Sequence, residues 1–131
     1  MKCLNQTALA LSVAVLMLTA GPSHAQTAGE MLHACETLQR GERIEGNAVL
    51  LPPGKDAQQC WGFMSAVQEY SVLADENGQR LLGACPASAT KTTQIVDAFV
   101  KYTKAHPEKL NMPAAAVAYG AMAAAFPCPS E

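Results

Sequence analysis

Four cysteines, Cys35, Cys60, Cys85 and Cys128, hold most of the chemistry that this chain could perform, and their spacing limits what that chemistry is. A four-thiolate zinc site usually draws its ligands in close C-x-x-C pairs, and no two of these cysteines lie that near one another. An even number of widely spaced cysteines in a small exported domain reads instead as two disulfides. The other reactive side chains do not assemble into a constellation. His33 falls in a helical pattern, and His106 stands before Pro107, where a helix-end residue facing the terminal carbonyls is expected. Met31, Met64, Met112 and Met122 occupy core-like positions and read as packing, not as copper ligands. Glu69, Asp97 and Glu108 read as solvated helix-face charges. With the cysteines paired, no nucleophile remains beside a base, so no catalytic residue, metal or cofactor is expected.

The disulfide reading depends on export, and the amino-terminal segment supplies it. "MKCLNQTALALSVAVLMLTAGPSHAQ" has Lys2 as its early charge, an apolar run over residues 8–20 and the small-x-small triplet Ser23-His24-Ala25. This is the layout of a signal peptide spanning residues 1–25, leaving a single domain over residues 26–131 in the periplasm. Cys3 sits in the leader away from the cleavage point and is not placed as an acylation cysteine. Loss of Lys2 leaves eight Lys and Arg against eleven Asp and Glu, a net charge of about −3. That balance offers nothing to nucleic acid or to an anionic membrane surface, and no second apolar run of spanning length follows.

Four helical patterns must position the cysteines. Thr27-Ala28-Gly29-Glu30 is a capping box opening a helix that runs to about residue 40, with Met31, Leu32, Cys35 and Leu38 on one face and Gly41 as its breaker. Residues 41–55, with their glycines and Pro52-Pro53, read as a loop containing a short extended piece near residues 48–51. Asp56 is the expected cap of a second helix to about residue 73, with Cys60, Phe63, Met64, Val67, Tyr70 and Ser71 inward. A third helix begins near Thr90, turns Ile95, Val96, Phe99, Val100 and Tyr102 inward and stops at His106-Pro107. Asn111 is the expected cap of a last helix, with Pro113 in its first turn; uncharged and rich in alanine, it is expected in the middle of the bundle. Strand patterns are absent, so the class is all-α: a small bundle of four to five helices stapled by two disulfides. Helices joined by short connections run antiparallel. The far ends of the third and fourth then meet, pairing Cys85 with Cys128, and the loop between the first two brings Cys35 to Cys60. Flanked by Pro127 and Pro129, Cys128 lies past the last regular element and ties the tail down.

With these elements placed, "CWGFMSAVQEY" and "CPASATKTTQIVDAFVKYTKAHPEKLNMPAAAVAYGAMAAAFPC" together resemble the Rap/Tai family of periplasmic immunity proteins. The shared features are a Cys-x-Gly-aromatic helix opening, Cys-x-x-x-x-Thr before a helix with Gln94 and Val96, a His-Pro-Glu break and a closing Ala-x-x-x-Phe-Pro-Cys. The likeness covers residues 60–128 well and the first helix loosely. Where the family has Gly-Tyr followed by a second glycine, this chain has Gly62-Phe63-Met64-Ser65-Ala66. The resemblance implies a small helical homodimer that binds and inhibits a type VI secreted peptidoglycan amidase effector by blocking its active-site cleft. The contact segment expected on that reading is Asp75, Glu76, Asn77, Gln79, Arg80, Leu81 and Leu82, polar at its Asn77-Gly78 turn and anchored by Cys85. The alternatives are an ordinary connector whose leucines pack back on the bundle and, for the whole chain, a small periplasmic stress or holdase-type helper of unknown partner, or a small enzyme.

Overall fold

The computed structural model describes residues 25–129. The leader expected over residues 1–25, with Cys3, lies outside them apart from Ala25.

Helix α1 (Ala28–Gly41) begins at the capping box. The Thr27 amide donates to Glu30 Oε2 at 2.9 Å, and the Glu30 amide donates to Thr27 Oγ1 at 3.3 Å. Two more amides at this end are taken by the chain before the last helix: Ala28 donates to the Met112 carbonyl and Gly29 to that of Leu110. The buried stripe Ala28, Met31, Ala34, Cys35 and Leu38 follows helical periodicity. Gly41 is the last helical residue and not a breaker. A Cβ there would stand 2.6 Å from Pro52 Cβ, so only glycine lets the Pro-Pro segment close over the helix end.

A two-stranded antiparallel hairpin follows, β1 (Arg43–Glu45) and β2 (Ala48–Leu50), with Ile44 opposite Val49. Gly46, at φ 61°, gives the positive φ that the first residue of a type II′ connection needs. The all-α expectation is therefore corrected: β2 coincides with the extended piece, while β1 had no counterpart. The hairpin lies on the surface of a mostly helical bundle.

Helix α2 (Lys55–Tyr70) starts one residue before Asp56, with Gly54 at φ 124° in the cap position. Asp56 instead lies in the first turn, where its charge favours the helix amino terminus. The helix ends at Tyr70, short of residue 73, where the buried Ser71 takes over the last carbonyls: its amide and its hydroxyl both donate to Gln68. Cys60, Met64 and Val67 are buried, but Tyr70, about 120° around the helix from Met64, is exposed.

Helix α3 (Thr92–Ala105) buries Ile95, Val96, Phe99, Val100 and Thr103, whose hydroxyl donates to the Phe99 carbonyl at 2.8 Å. Tyr102 is half-buried. The helix ends before Pro107, but the His106 ring does not turn to the helix carbonyls: it meets Glu108 Oε1 at 3.1 Å and packs on Tyr102. After a 3-10 turn (Pro107–Lys109), helix α4 (Ala114–Ala125) starts from Pro113 and not from Asn111, because Pro113 bridges to Thr27 and the Ala114 amide donates to the Gln26 carbonyl.

Each of the four helices packs on the other three, with α1 against α2 and α3 against α4 as the most extensive pairs. Helix α4 buries Ala114, Val117, Ala118, Ala121 and Met122, and leaves Ala115, Ala116, Ala124 and Ala125 exposed. These exposed alanines stand at its two ends; from Val117 to Ala123 every residue is at least partly buried, as the enclosed place expected of this helix requires. Gly120 receives the Tyr102 side chain: a Cβ would lie 3.1 Å from the Tyr102 hydroxyl. Gly62, in the motif that departs from the family pattern, faces open space. The cystines are Cys35–Cys60, joining α1 to α2, and Cys85–Cys128, joining the approach to α3 with the tail after α4.

Candidate functional site

Between Ser71 and Ala84, both buried, the chain leaves the bundle and returns. Its tip is built by Asp75, whose carboxylate accepts from the Asn77 amide at 2.9 Å and the Gln79 amide at 2.8 Å. This is the local bonding that makes aspartate a turn residue. The Gly78 amide donates to the Asp75 carbonyl, and Gly78 takes φ 79°. Below the tip, Ala74 and Arg80 form an antiparallel bridge, the Leu81 amide donates to the Leu73 carbonyl, and the Arg80 guanidinium donates to the Val72 carbonyl. Gly83, at φ 60°, turns the chain back inward.

The base is clamped from the other end of the sequence. Ala84 bridges to Pro127, the Cys85 amide donates to the Phe126 carbonyl at 2.8 Å, and Cys85 is bonded to Cys128. An open groove of about 590 Å³ lies here, lined by Asn77, Gln79, Arg80, Cys85, Cys128 and Pro129 among others.

The loop departs from an ordinary connector in its apolar exposure. Val72 is 59% exposed, Leu73 44% and Leu81 60%, and Tyr70, at the end of α2 beside the loop, is 55% exposed. Single exposed apolar residues are common on any surface, but a group gathered on one braced loop is the pattern of a contact surface. Leu81 therefore does not pack back on the bundle; Leu82 is half-buried. Glu76, Asn77 and Gln79 are exposed at the tip, while Asp75 and Arg80, also exposed, are engaged in holding the loop's shape. Sequence reasoning missed Tyr70, Val72 and Leu73, which it assigned to the second helix. The available signal was an apolar run leading straight into an Asn-Gly turn.

Elsewhere the chemistry is sparse. Among the described residues, no group of three or more His, Cys, Asp or Glu side chains is placed to hold a metal ion, and no helix is long and apolar enough to cross a membrane. Burial, and then the nearby Asp97 charge, push the Glu42 carboxyl above its usual range. Glu36 is held below that range by its bond to Lys104, at 2.7 Å.

A family model described as Rap1a immunity proteins matches residues 27–128. No curated protein and no solved structure matches the chain.

Proposed function

The chain belongs to the Rap1a immunity protein family, whose members are inhibitors and not enzymes, and from that premise we propose that it blocks the active-site cleft of a type VI secreted peptidoglycan amidase in the periplasm. Loop 72–83 is the plug. The observation that carries this reading is the exposed apolar group Val72, Leu73 and Leu81 on a loop fixed by Asp75, Arg80 and the Cys85–Cys128 cystine. An inhibitor acts by affinity alone, and tight binding needs a few anchors that become fully buried in the complex. A loop already held in shape loses little conformational freedom on docking, so more of the burial energy remains as affinity. Glu76, Asn77, Gln79 and Leu82 form the polar and half-apolar surround of the anchors. Residues 1–25 deliver the protein to the periplasm, and the mature domain is a homodimer.

The test is co-expression of the periplasm-targeted amidase encoded nearest this gene with the wild-type protein or with a Leu73→Ala, Leu81→Ala double variant. The wild type should protect the cell. The double variant should keep its helical circular dichroism and lose protection, since one anchor is worth above about 2 kcal/mol, roughly thirtyfold in affinity. Failure of the wild type to protect against any co-encoded amidase contradicts the reading.

A further inference from the structure

The two cystines have unlike surroundings. Cys35 and Cys60 are both 0% exposed, inside the core. Cys85 is half-buried, Cys128 is exposed, and both line the open groove beneath loop 72–83. Disulfide exchange requires a thiolate to reach one of the bonded sulfurs, so access sets which bond reacts first. A dithiol in solution can approach the outer bond through the groove, whereas the inner one is shut off until the core opens.

The outer bond also has a particular mechanical place. Loop 72–83 runs directly into Ala84 and Cys85, so the cystine is the covalent link between the base of the loop and the tail behind α4. Without it, the backbone link between tail and base among the described residues is the isolated bridge of Ala84 with Pro127, to which the Cys85-to-Phe126 hydrogen bond belongs. The helices keep their own cystine and their own core.

We infer that Cys85–Cys128 is a thiol-exchange site, opened by dithiols ahead of Cys35–Cys60, and that its opening frees loop 72–83 and lowers its binding competence. The last part rests on the reading of this loop as the toxin-contacting element. In the exchange, a thiolate of the dithiol attacks Sγ of the exposed residue Cys128, the Cys85–Cys128 bond breaks, and Cys85 leaves as a thiolate that takes up a proton. The second thiolate of the dithiol then attacks its own sulfur in the mixed disulfide and releases Cys128, which is protonated in turn. The dithiol is oxidised to its disulfide, the cystine is reduced by two electrons, and the two protons are those of the original dithiol. The protein then binds tightly only when oxidised, so its activity begins after it reaches a compartment where disulfides form.

The experiment exposes the purified oxidised protein to graded dithiothreitol under native conditions, traps thiols with iodoacetamide and maps the alkylated peptides. The expected result is a range of dithiothreitol in which Cys85 and Cys128 are alkylated and Cys35 and Cys60 are not. In that range circular dichroism stays unchanged, amides of 72–83 exchange hydrogen at least tenfold faster, and amidase binding weakens at least tenfold, recovering on reoxidation. A Cys85→Ser, Cys128→Ser variant should reproduce the faster exchange without reductant. Simultaneous opening of both cystines, opening of Cys35–Cys60 first, or unchanged exchange of 72–83 after selective opening overturns the inference. Unchanged affinity of the selectively opened protein overturns its functional part. Failure of the oxidised wild type to bind any amidase overturns the toxin reading, while the thiol map and exchange rates, which need no partner, still decide the exchange site.

Discussion

Glu42 stands just past the end of α1 with its Oε2 buried and without a hydrogen-bond partner. Burial raises its pKa and the charge of Asp97, itself bonded to Gln39, adds to the effect. A carboxyl whose folded pKa lies above its unfolded value stabilises the fold fully below about pH 4.5 and progressively less as pH rises through the raised value. At neutral pH the ionised group is thus a burden, and Glu42→Gln should raise the melting temperature at pH 7 while leaving it nearly unchanged at pH 4, read by thermal denaturation at both. Glu30, Glu36 and Glu108 have the opposite sign, lowered chiefly by the Thr27 backbone amide, by Lys104 and by the residue's own backbone amide respectively. Their contributions are present above about pH 4.5 and fade as pH falls through the lowered values. The Thr27–Glu30 pair was legible in the sequence because a capping box is contained in four residues. Glu42's strain was not, because Asp97 comes to it from another helix.

At the scale of elements, the four helices could be read from periodicity, since each buries a stripe. The hairpin escaped because a two-residue period is visible only where one face of a strand is covered, and of its six strand residues only Val49 is even partly buried. Gly46-Asn47, a known hairpin turn pair, was the signal at hand. Helix α4 could be placed within the bundle because it has no charge, and its middle turns are covered on every side; the alanines exposed at its two ends show only a methyl group to water. The end of α2 was misread because Val72 and Leu73 continue an apolar pattern, yet they stand exposed on the loop proposed to meet the toxin. Conflicts of this kind between local pattern and fold are expected at sites that bind. Loop shape, on this account, depends on Asp75 and not on a contact that Asp75 makes with the partner. Asp75→Ala should speed hydrogen exchange at the Asn77 and Gln79 amides and weaken amidase binding about tenfold, or about 1.4 kcal/mol, without touching the apolar anchors.

In the molecule as a whole, all four helices contribute to one core and the cystines divide the remaining work. Loops of 25 and 43 residues closed by disulfides are each worth roughly 3 to 4 kcal/mol in the chain-entropy picture, a large share for a domain of this size. Both pairings were legible: the short connection between α3 and α4 makes them antiparallel and brings their far ends together, and the folding back of the longer loop between α1 and α2 brings Cys35 to Cys60. The position of the second cystine lets the carboxy-terminal tail, distant in sequence, serve as the clamp of loop 72–83. The dimer proposed above predicts a light-scattering mass of two chains at micromolar concentration; a monomer throughout that range contradicts it.

The central claim is that loop 72–83 is the surface that meets the toxin, and hydrogen exchange with and without the bound amidase tests it most directly. The complex should slow exchange strongly at the backbone amides of residues 72–83, with the outer faces of α4 and the 43–50 hairpin changing little. Protection confined to α4 or to the hairpin, with exchange in 72–83 unaltered, would contradict the account.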